Sequence, residues 1–299
     1  MLKYDDFVPV SQDERSIILA HYQKYPQMHS DNSFTNMVCW NPYAHYEYAF
    51  SGKSLVLAST IDNSLSFRVP IGPKNKRLLS EVYSLAFREG GENPLLIFGE
   101  QDRDWFIQQR PEVPVYPDRD FFDYVYLTRD LAFLKGKKYL TIRKALNKFS
   151  RECRYETERM ADDNMDEVRI FLEKWCEWKH CDEKPVLSFE KEAVMYAISH
   201  FHDLELEGLI VRVNDAVSAM AMFDELNPST ALVHFEKALP ECKGIYKCIN
   251  HEIASLLIDR YAYINRESDL GIKGLREAKL RYHPHMFSRV YYLNKDDMN

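Results

Sequence analysis

Several features that would decide a class outright are missing from this chain of 299 residues. No stretch approaches the ~18 consecutive apolar residues that a membrane-spanning helix needs, so no transmembrane segment is expected. The opening Met1-Leu2-Lys3-Tyr4-Asp5-Asp6 has no apolar core of a signal peptide. The six cysteines, Cys39, Cys153, Cys176, Cys181, Cys242 and Cys248, form no C-x-x-C pair and no regular framework. Together these points predict free thiols in a reducing compartment and a cytoplasmic protein. A positive charge balance is also lacking: the formal net charge is −7, which excludes a uniformly basic nucleic-acid binder but leaves room for a local basic patch. There is no Gly-rich dinucleotide fingerprint and no serine nucleophile elbow. Cys176, His180 and Cys181 cluster without a second ligand pair of structural-zinc spacing, and His200/His202 and His283/His285 read as surface or packing histidines, so no metal is expected.

What is present suits a packed α/β protein. With 45% hydrophobic residues there is enough apolar surface to offset the ordering entropy of a core. In the first half, Ser11-Gln12-Asp13-Glu14 has capping-box form and predicts a helix that ends before Pro26. Strands are expected at 46–50 and 55–59 about Ser51-Gly52-Lys53, and at 65–69. A helix carrying Leu78, Leu79, Val82, Leu85 and Ala86 stops at Gly90-Gly91, and strands follow at 95–98 and 121–127 with a short helix around Trp105 between them. A basic helical connector spans 131–149. The second half predicts a strand at 155–159, two helices, a hairpin about Asn214-Asp215, a strand at 231–235, a helix at 245–258, a strand at 261–264, a helix at 275–280 and a strand at 287–293.

In symbols the halves read α-β-β-β-α-β-α-β and β-α-α-β-β-β-α-β-α-β, one architecture used twice without a residue-level repeat. The order is similar to that of the N-acetyltransferase (GNAT) fold, in which a mixed sheet splays open between its fourth and fifth strands. The expected class is therefore α/β (α+β), with two tandem GNAT-like domains, each a mixed splayed sheet flanked by helices. The division expected is residues 1–129 for the first domain and 130–299 for the connector helix and a second domain carrying the site.

Ligands of open α/β sheets gather at the carboxyl ends of strands. In the second half this places His234-Phe235-Glu236-Lys237 and Asn265-Arg266-Glu267-Ser268-Asp269 at the mouth of one cleft. Acyl transfer to an amine needs a base, an acid for the leaving group and donors for the oxyanion. Glu236, Glu267 or Asp269 can supply the base, and Tyr246 or Tyr282 the acid. The same residues can equally form a structural ion-pair network. A coenzyme A pyrophosphate would rest on N–H groups at the start of the helix after the fourth strand. There the sequence reads Glu241-Cys242-Lys243-Gly244-Ile245-Tyr246: Gly244 is in place, but the charge of Glu241 and the bulk of Tyr246 disfavour coenzyme A. In the first half the corresponding loop, Ile71-Gly72-Pro73-Lys74-Asn75-Lys76-Arg77, is interrupted by proline. The connector's Lys135, Lys137, Lys138, Arg143, Lys144, Lys148 and Arg151 suit an RNA backbone or a lipid headgroup, or simply a solvated helix face.

Three runs carry a family resemblance: Asp123-Tyr124-Val125-Tyr126 with Leu131, 134–139 and Arg143 through 147–149; Phe235-Glu236-Lys237-Ala238 with Gly244, Tyr246 and Asn250; and Asn265-Arg266-Glu267, Asp269-Leu270-Gly271, Gly274-Leu275-Arg276, Lys279 and Tyr282-His283-Pro284. Together they resemble an uncharacterised branch of the phosphatidylglycerol lysyltransferase C-terminal-domain family, a tandem GNAT fold related to the Fem peptidyltransferases. The resemblance implies an aminoacyl- or acyltransferase that draws on aminoacyl-tRNA, with a small anionic or amine substrate or a peripherally contacted lipid as partner. For such a transferase acting at the second-half cleft, Glu236 and Glu267 are expected to position or deprotonate an amine, Lys237, Arg266 and Arg276 to hold an anionic group, and Arg143, Lys144 and Asn147 to approach the donor's phosphates, with Gly244, Asn265 and Asp269 completing the site. Arg143-Lys144-Ala145-Leu146-Asn147 departs from the Arg-Asn-His expected before the second Asn. Two other classes stand beside this one: a non-catalytic module binding a small anionic or nucleotide ligand, and an ordinary acyl-CoA-dependent N-acetyltransferase.

Overall fold

The computed structural model describes residues 1–298, which form fourteen strands and flanking helices. In chain order the strands are β1 (Val8–Pro9), β2 (Glu47–Ser51), β3 (Ser54–Ile61), β4 (Ser64–Arg68), β5 (Leu95–Phe98), β6 (Tyr116–Pro117), β7 (Asp123–Leu127), β8 (Tyr155–Arg159), β9 (Glu207–Val213), β10 (Ala216–Asn227), β11 (Thr230–Ala238), β12 (Tyr263–Asn265), β13 (Met286–Ser288) and β14 (Val290–Leu293). They make two seven-stranded sheets, in the orders β1-β2-β3-β4-β5-β14-β6 and β13-β7-β12-β11-β10-β9-β8. Two compact units follow: Met1–Asp123 with Ser268–Ile272 and the chain from Phe287 on, and Tyr124–Glu267 with Lys273–Met286. Among the described residues no helix is long and apolar enough to cross a membrane.

Local chemistry explains the strand order in each unit. The turn between β3 and β4 holds Asp62 and Asn63 at φ 50° and 62°, and that between β9 and β10 holds Asn214 and Asp215 at φ 49° and 66°. Two consecutive left-handed residues make the tight turn whose twist matches antiparallel strands, and Asn and Asp tolerate it best. In the first unit the helix Lys76–Glu89 is capped by Asn75, whose side chain accepts from Leu78 N at 3.1 Å. It lays Leu78, Leu79, Val82, Leu85 and Ala86 on Val56, Ala58, Phe67 and Leu95 of the sheet.

The strand expected at 121–127 forms as β7, but in the second sheet, paired antiparallel with β12. The run expected as one strand at 287–293 breaks into β13 and β14, and β14 joins the first sheet between β5 and β6. Alternating side chains identify a strand without saying which sheet will take it. The connector is two helices, Thr128–Phe133 and Leu140–Glu152, separated by Leu134 and Gly136 in left-handed conformations.

The expectation of six free thiols is corrected. Cys153 and Cys242 are joined in a disulfide, with 6.4 Å between their Cα atoms, while Cys39, Cys176, Cys181 and Cys248 are buried and outside any disulfide. The reason lies in helix packing. A Cβ on Gly244 would come within 3.2 Å of Ala145 O and Phe149 Cβ, so glycine lets its loop approach the helix Leu140–Glu152 closely. That brings Cys242 to the end of the same helix, a proximity that 89 residues of sequence separation conceal.

Candidate functional site

In the second unit β11 and β12 run parallel for three residues, Thr230↔Tyr263, Ala231↔Ile264 and Leu232↔Asn265. There β12 stops. The chain stays beside β7, Arg266 N donating to Tyr124 O and Tyr124 N to Glu267 O, while β11 continues to Ala238. The two strands thus part, and His234 and Glu236 meet Glu267 and Arg266 across a gap bridged by side chains. Asn265, fully buried, accepts from Glu267 N at 2.8 Å through Oδ1. This side-chain turn holds Glu267 at φ 56°, a costly conformation for a non-glycine residue.

One cluster in the gap is built around Arg266. Its Nη2 donates to both oxygens of Glu236, at 2.9 and 3.0 Å, and each side chain is only 13% exposed. Asn250, in the amide orientation that satisfies both groups, accepts from Arg266 Nη1 at 2.8 Å. The guanidinium lies 5.2 Å from the ring centroid of Tyr282 and 5.9 Å from that of Tyr126. Burial alone would lower the arginine's pKa, but the Glu236 carboxylate outweighs it and the net shift is upward. Burial pushes both tyrosine hydroxyls far above their usual range. The rings are themselves anchored, Tyr126 OH donating to Lys279 O at 2.8 Å and Tyr139 OH to Tyr282 O at 3.2 Å. Lys279 Nζ donates to Arg266 O and Glu267 O at 2.7 and 3.1 Å, fixing the turn from below.

A second cluster adjoins it. Met222 pairs with Phe235 and Phe223 with Val233, so His234 is the extra residue of a β-bulge. Bulges re-aim side chains, and this one sends a fully buried imidazole between Asp224, at 2.9 Å, and Glu267, at 3.6 Å. Burial alone would lower the histidine's pKa, yet the two carboxylates raise it to about 9. At neutral pH it is an imidazolium, which makes it a poor base and a fixed positive charge beside Glu267. Glu267 is the more open of the two glutamates, at 25% exposure.

The remaining expected site residues lie elsewhere. Lys237 is buried, pairs with Glu190 and stacks on Trp175 at 4.5 Å, away from the partners of its neighbour Glu236. Asp269 is fully buried in the first unit, where it meets Arg119 Nη1 at 3.2 Å and accepts from Gly271 N at 3.0 Å. Arg276 is half-buried on the helix Lys273–Leu280. Arg143 Nη1 donates to the carbonyls of Leu134 and Gly136, the latter at 2.8 Å, and so closes the left-handed loop before its own helix. Lys144 and Asn147 line an open surface depression with Lys148, Ser150 and Arg151. Tyr246 is exposed on the first turn of the helix Ile245–Leu257.

Sequence reasoning missed Asp224, His234 in its own right, and Tyr126. A signal for Asp224 existed: with Glu225 it closes the apolar run Met220-Ala221-Met222-Phe223. Among the described residues no group of three or more His, Cys, Asp or Glu is gathered to hold a metal ion. The coenzyme A loop does not fit its ligand. At the start of the helix Ile245–Leu257, Ile245 N donates to Cys242 O and Lys247 N to Gly244 O, so N–H groups that would cradle a pyrophosphate are spent within the turn.

Comparison with known proteins agrees with this architecture. Residues 22–294 match the family described as phosphatidylglycerol lysyltransferase, C-terminal. A conserved protein of unknown function from Bacteroides thetaiotaomicron is 32% identical, with a TM-score of 0.88 over 96% of this chain and 99% of that one. The C-terminal domain of a putative lysylphosphatidylglycerol synthetase from Agrobacterium fabrum is similar in fold, at 14% identity and TM-score 0.66 over 96% and 94% of the two chains. So is the L-PGS structure from Bacillus licheniformis, at 12% identity and TM-score 0.64 over 94% and 92%. No curated protein matches the chain by sequence. The fold is that of tandem GNAT-like acyltransferases, a mixed α/β architecture with two mixed sheets. The chain belongs to the phosphatidylglycerol lysyltransferase C-terminal-domain family.

Proposed function

We propose that the chain transfers an aminoacyl or related acyl group in the gap between β11 and β12, with aminoacyl-tRNA as the donor class. The observation that carries this reading is the Glu236–Arg266–Tyr282 cluster at the point where the strands part, with Glu267 beside it. Glu236 and Glu267 present two carboxylates to an incoming ammonium group. Glu236 is held on both oxygens by Arg266 and suits positioning; Glu267, more open, suits taking the proton from the attacking amine or hydroxyl. The positive charge of Arg266 and the hydroxyl of Tyr282 are the groups of this cluster suited to stabilise a developing oxyanion. The poor fit of the coenzyme A loop favours a donor other than an acyl-CoA, and the basic side chains Lys144, Lys148 and Arg151 offer the phosphate contacts that a tRNA needs.

The test is transfer of labelled amino acid from mixed aminoacyl-tRNA, offered in parallel to phosphatidylglycerol vesicles and to soluble amines. Transfer to either is expected, and the Glu236→Gln, Glu267→Gln double variant should lose at least about 100-fold in rate while still folding cooperatively, at a lower melting temperature because Arg266 and His234 lose carboxylate partners. Full activity in that variant would sink the residue assignment. Tight binding of coenzyme A instead of tRNA would return the protein to the ordinary N-acetyltransferases, and tRNA binding with no transfer to any acceptor would make it a binding module.

A further inference from the structure

The first unit repeats the parting of strands seen in the second. β4 and β5 pair in parallel only at Phe67↔Leu95 and Arg68↔Leu96. Val69 N still reaches Leu96 O, after which the chain turns away so that Ile71 bonds Leu55 of β3, while β5 runs on to Phe98 beside β14. Arg68 stands at the fork. Its side chain is inside, with the residue only 2% exposed, and neither Nε nor Nη1 has a hydrogen-bond partner. Its guanidinium is flanked by two rings instead, with centroids 5.0 Å away for Tyr46 and 5.3 Å for Phe98. The hydroxyl of Tyr22, buried on the helix Arg15–Lys24 and close enough to Arg68 to feel its charge, also lacks a partner. The buried carboxylate of this region is already committed: Asp123 accepts from Ser30 N at 2.7 Å and Ser30 Oγ at 2.9 Å and lies 3.8 Å from His29 Nε2.

A buried, always-protonated guanidinium without a counter-charge is among the least tolerable arrangements in a protein interior. Flanking rings offset part of the cost through their quadrupoles but leave the N–H donors in the guanidinium plane unspent. Buried donors in native interiors are nearly always met by protein, ordered water or a bound ion, so two unmet ones on a single guanidinium call for a partner. We infer that the fork between β4 and β5 is a binding site for a small carboxylate, received in the plane of the Arg68 guanidinium, with Tyr22 OH as a further donor and the rings of Tyr46 and Phe98 against an apolar or aromatic body. A planar carboxylate matches the paired N–H donors of a guanidinium that has aromatic rings beside it. This site lies in the other unit from the proposed transferase centre and does not depend on it.

The test follows the guanidinium directly. In the full-length chain with ¹⁵N-labelled arginine, the Arg68 Nε–H resonance is assigned by its loss in Arg68→Met, and benzoate, acetate and inorganic phosphate are titrated at constant ionic strength. Benzoate should move that resonance saturably, with a dissociation constant at least about tenfold below acetate's, and phosphate should leave it in place. Arg68→Met, which removes an uncompensated buried charge at similar volume, should melt no lower than the parent without ligand and lose its stabilisation by benzoate. Arg68→Lys, which keeps the charge without the fork, should bind benzoate at least about tenfold more weakly. A resonance unmoved by any of the three anions would overturn the site, as would a Met variant that melts well below the parent with no anion effect in either, the behaviour of a merely structural arginine. A shift with phosphate tighter than benzoate would overturn the carboxylate assignment.

Discussion

His234 links the candidate centre to pH. The free imidazole titrates near 6.5, whereas in the fold Asp224 and Glu267 hold it protonated to about 9. A group whose pKa is raised by folding stabilises the native state fully below its unfolded value and loses that contribution as pH climbs through the folded one. Stability should therefore fall between about pH 6.5 and 9, by up to about 3 kcal/mol, the product of the shift and ~1.4 kcal/mol per pH unit. Denaturant melts at pH 6, 7.5 and 9 would measure it. In His234→Gln, which cannot be charged, that decline should largely vanish, whereas an equal decline in both proteins would remove His234 as its source. The sequence places His234 beside Glu236, but its role depends on a one-residue bulge that no spacing rule announces. Glu236, Arg266 and Glu267 were legible because a strand end rich in charge is unusual; their partners Tyr126 and Asn250 stand out only within the family resemblance, with no role attached.

At the scale of elements, Gly244 fixes how the helix Ile245–Leu257 meets the helix Leu140–Glu152. It sits at φ 108°, and an added Cβ would press on Ala145 O and Phe149 Cβ at 3.2 Å. Gly244→Ala therefore combines backbone strain with a steric push against a backbone carbonyl, and should cost about 2–4 kcal/mol, several degrees in melting temperature. A loss of under about 0.5 kcal/mol by chemical denaturation would mean that the loop relaxes freely. The glycine was visible in the sequence as half of a coenzyme A motif, whereas the structure uses it for close packing beside a disulfide. Strands and helices were readable in the same way, from alternation, caps and turn residues such as Asn214-Asp215. The sheet each strand joins was not: β7 and β14 are short, almost wholly buried runs that would suit either sheet, and only long-range registry with β12 and β5 decides.

For the whole molecule the governing contrast is between a net charge of −7 and one basic helix face. Charges beyond about 8 Å are largely screened at physiological salt, so a polyanion approaching Lys144, Lys148 and Arg151 responds to that face rather than to the total. Lys148 is partly spent on Glu152, at 3.7 Å, and Arg151 Nε on the Asn147 carbonyl, at 3.0 Å, yet all three side chains border the same open depression. Each phosphate neutralised releases counterions, which gives a slope of about −0.7 to −0.9 per contact in log affinity against log salt. Replacing the three by alanine should therefore weaken aminoacyl-tRNA binding and flatten that slope by about 2. Binding measured at four salt concentrations from 50 to 200 mM (about one logarithmic half-unit) reads both changes at once. A weaker affinity with an unchanged slope would place the tRNA backbone elsewhere and leave this face as solvated helix surface; a flattened slope with the Glu236 and Glu267 variants still binding would separate the capture of the donor from the chemistry done on it.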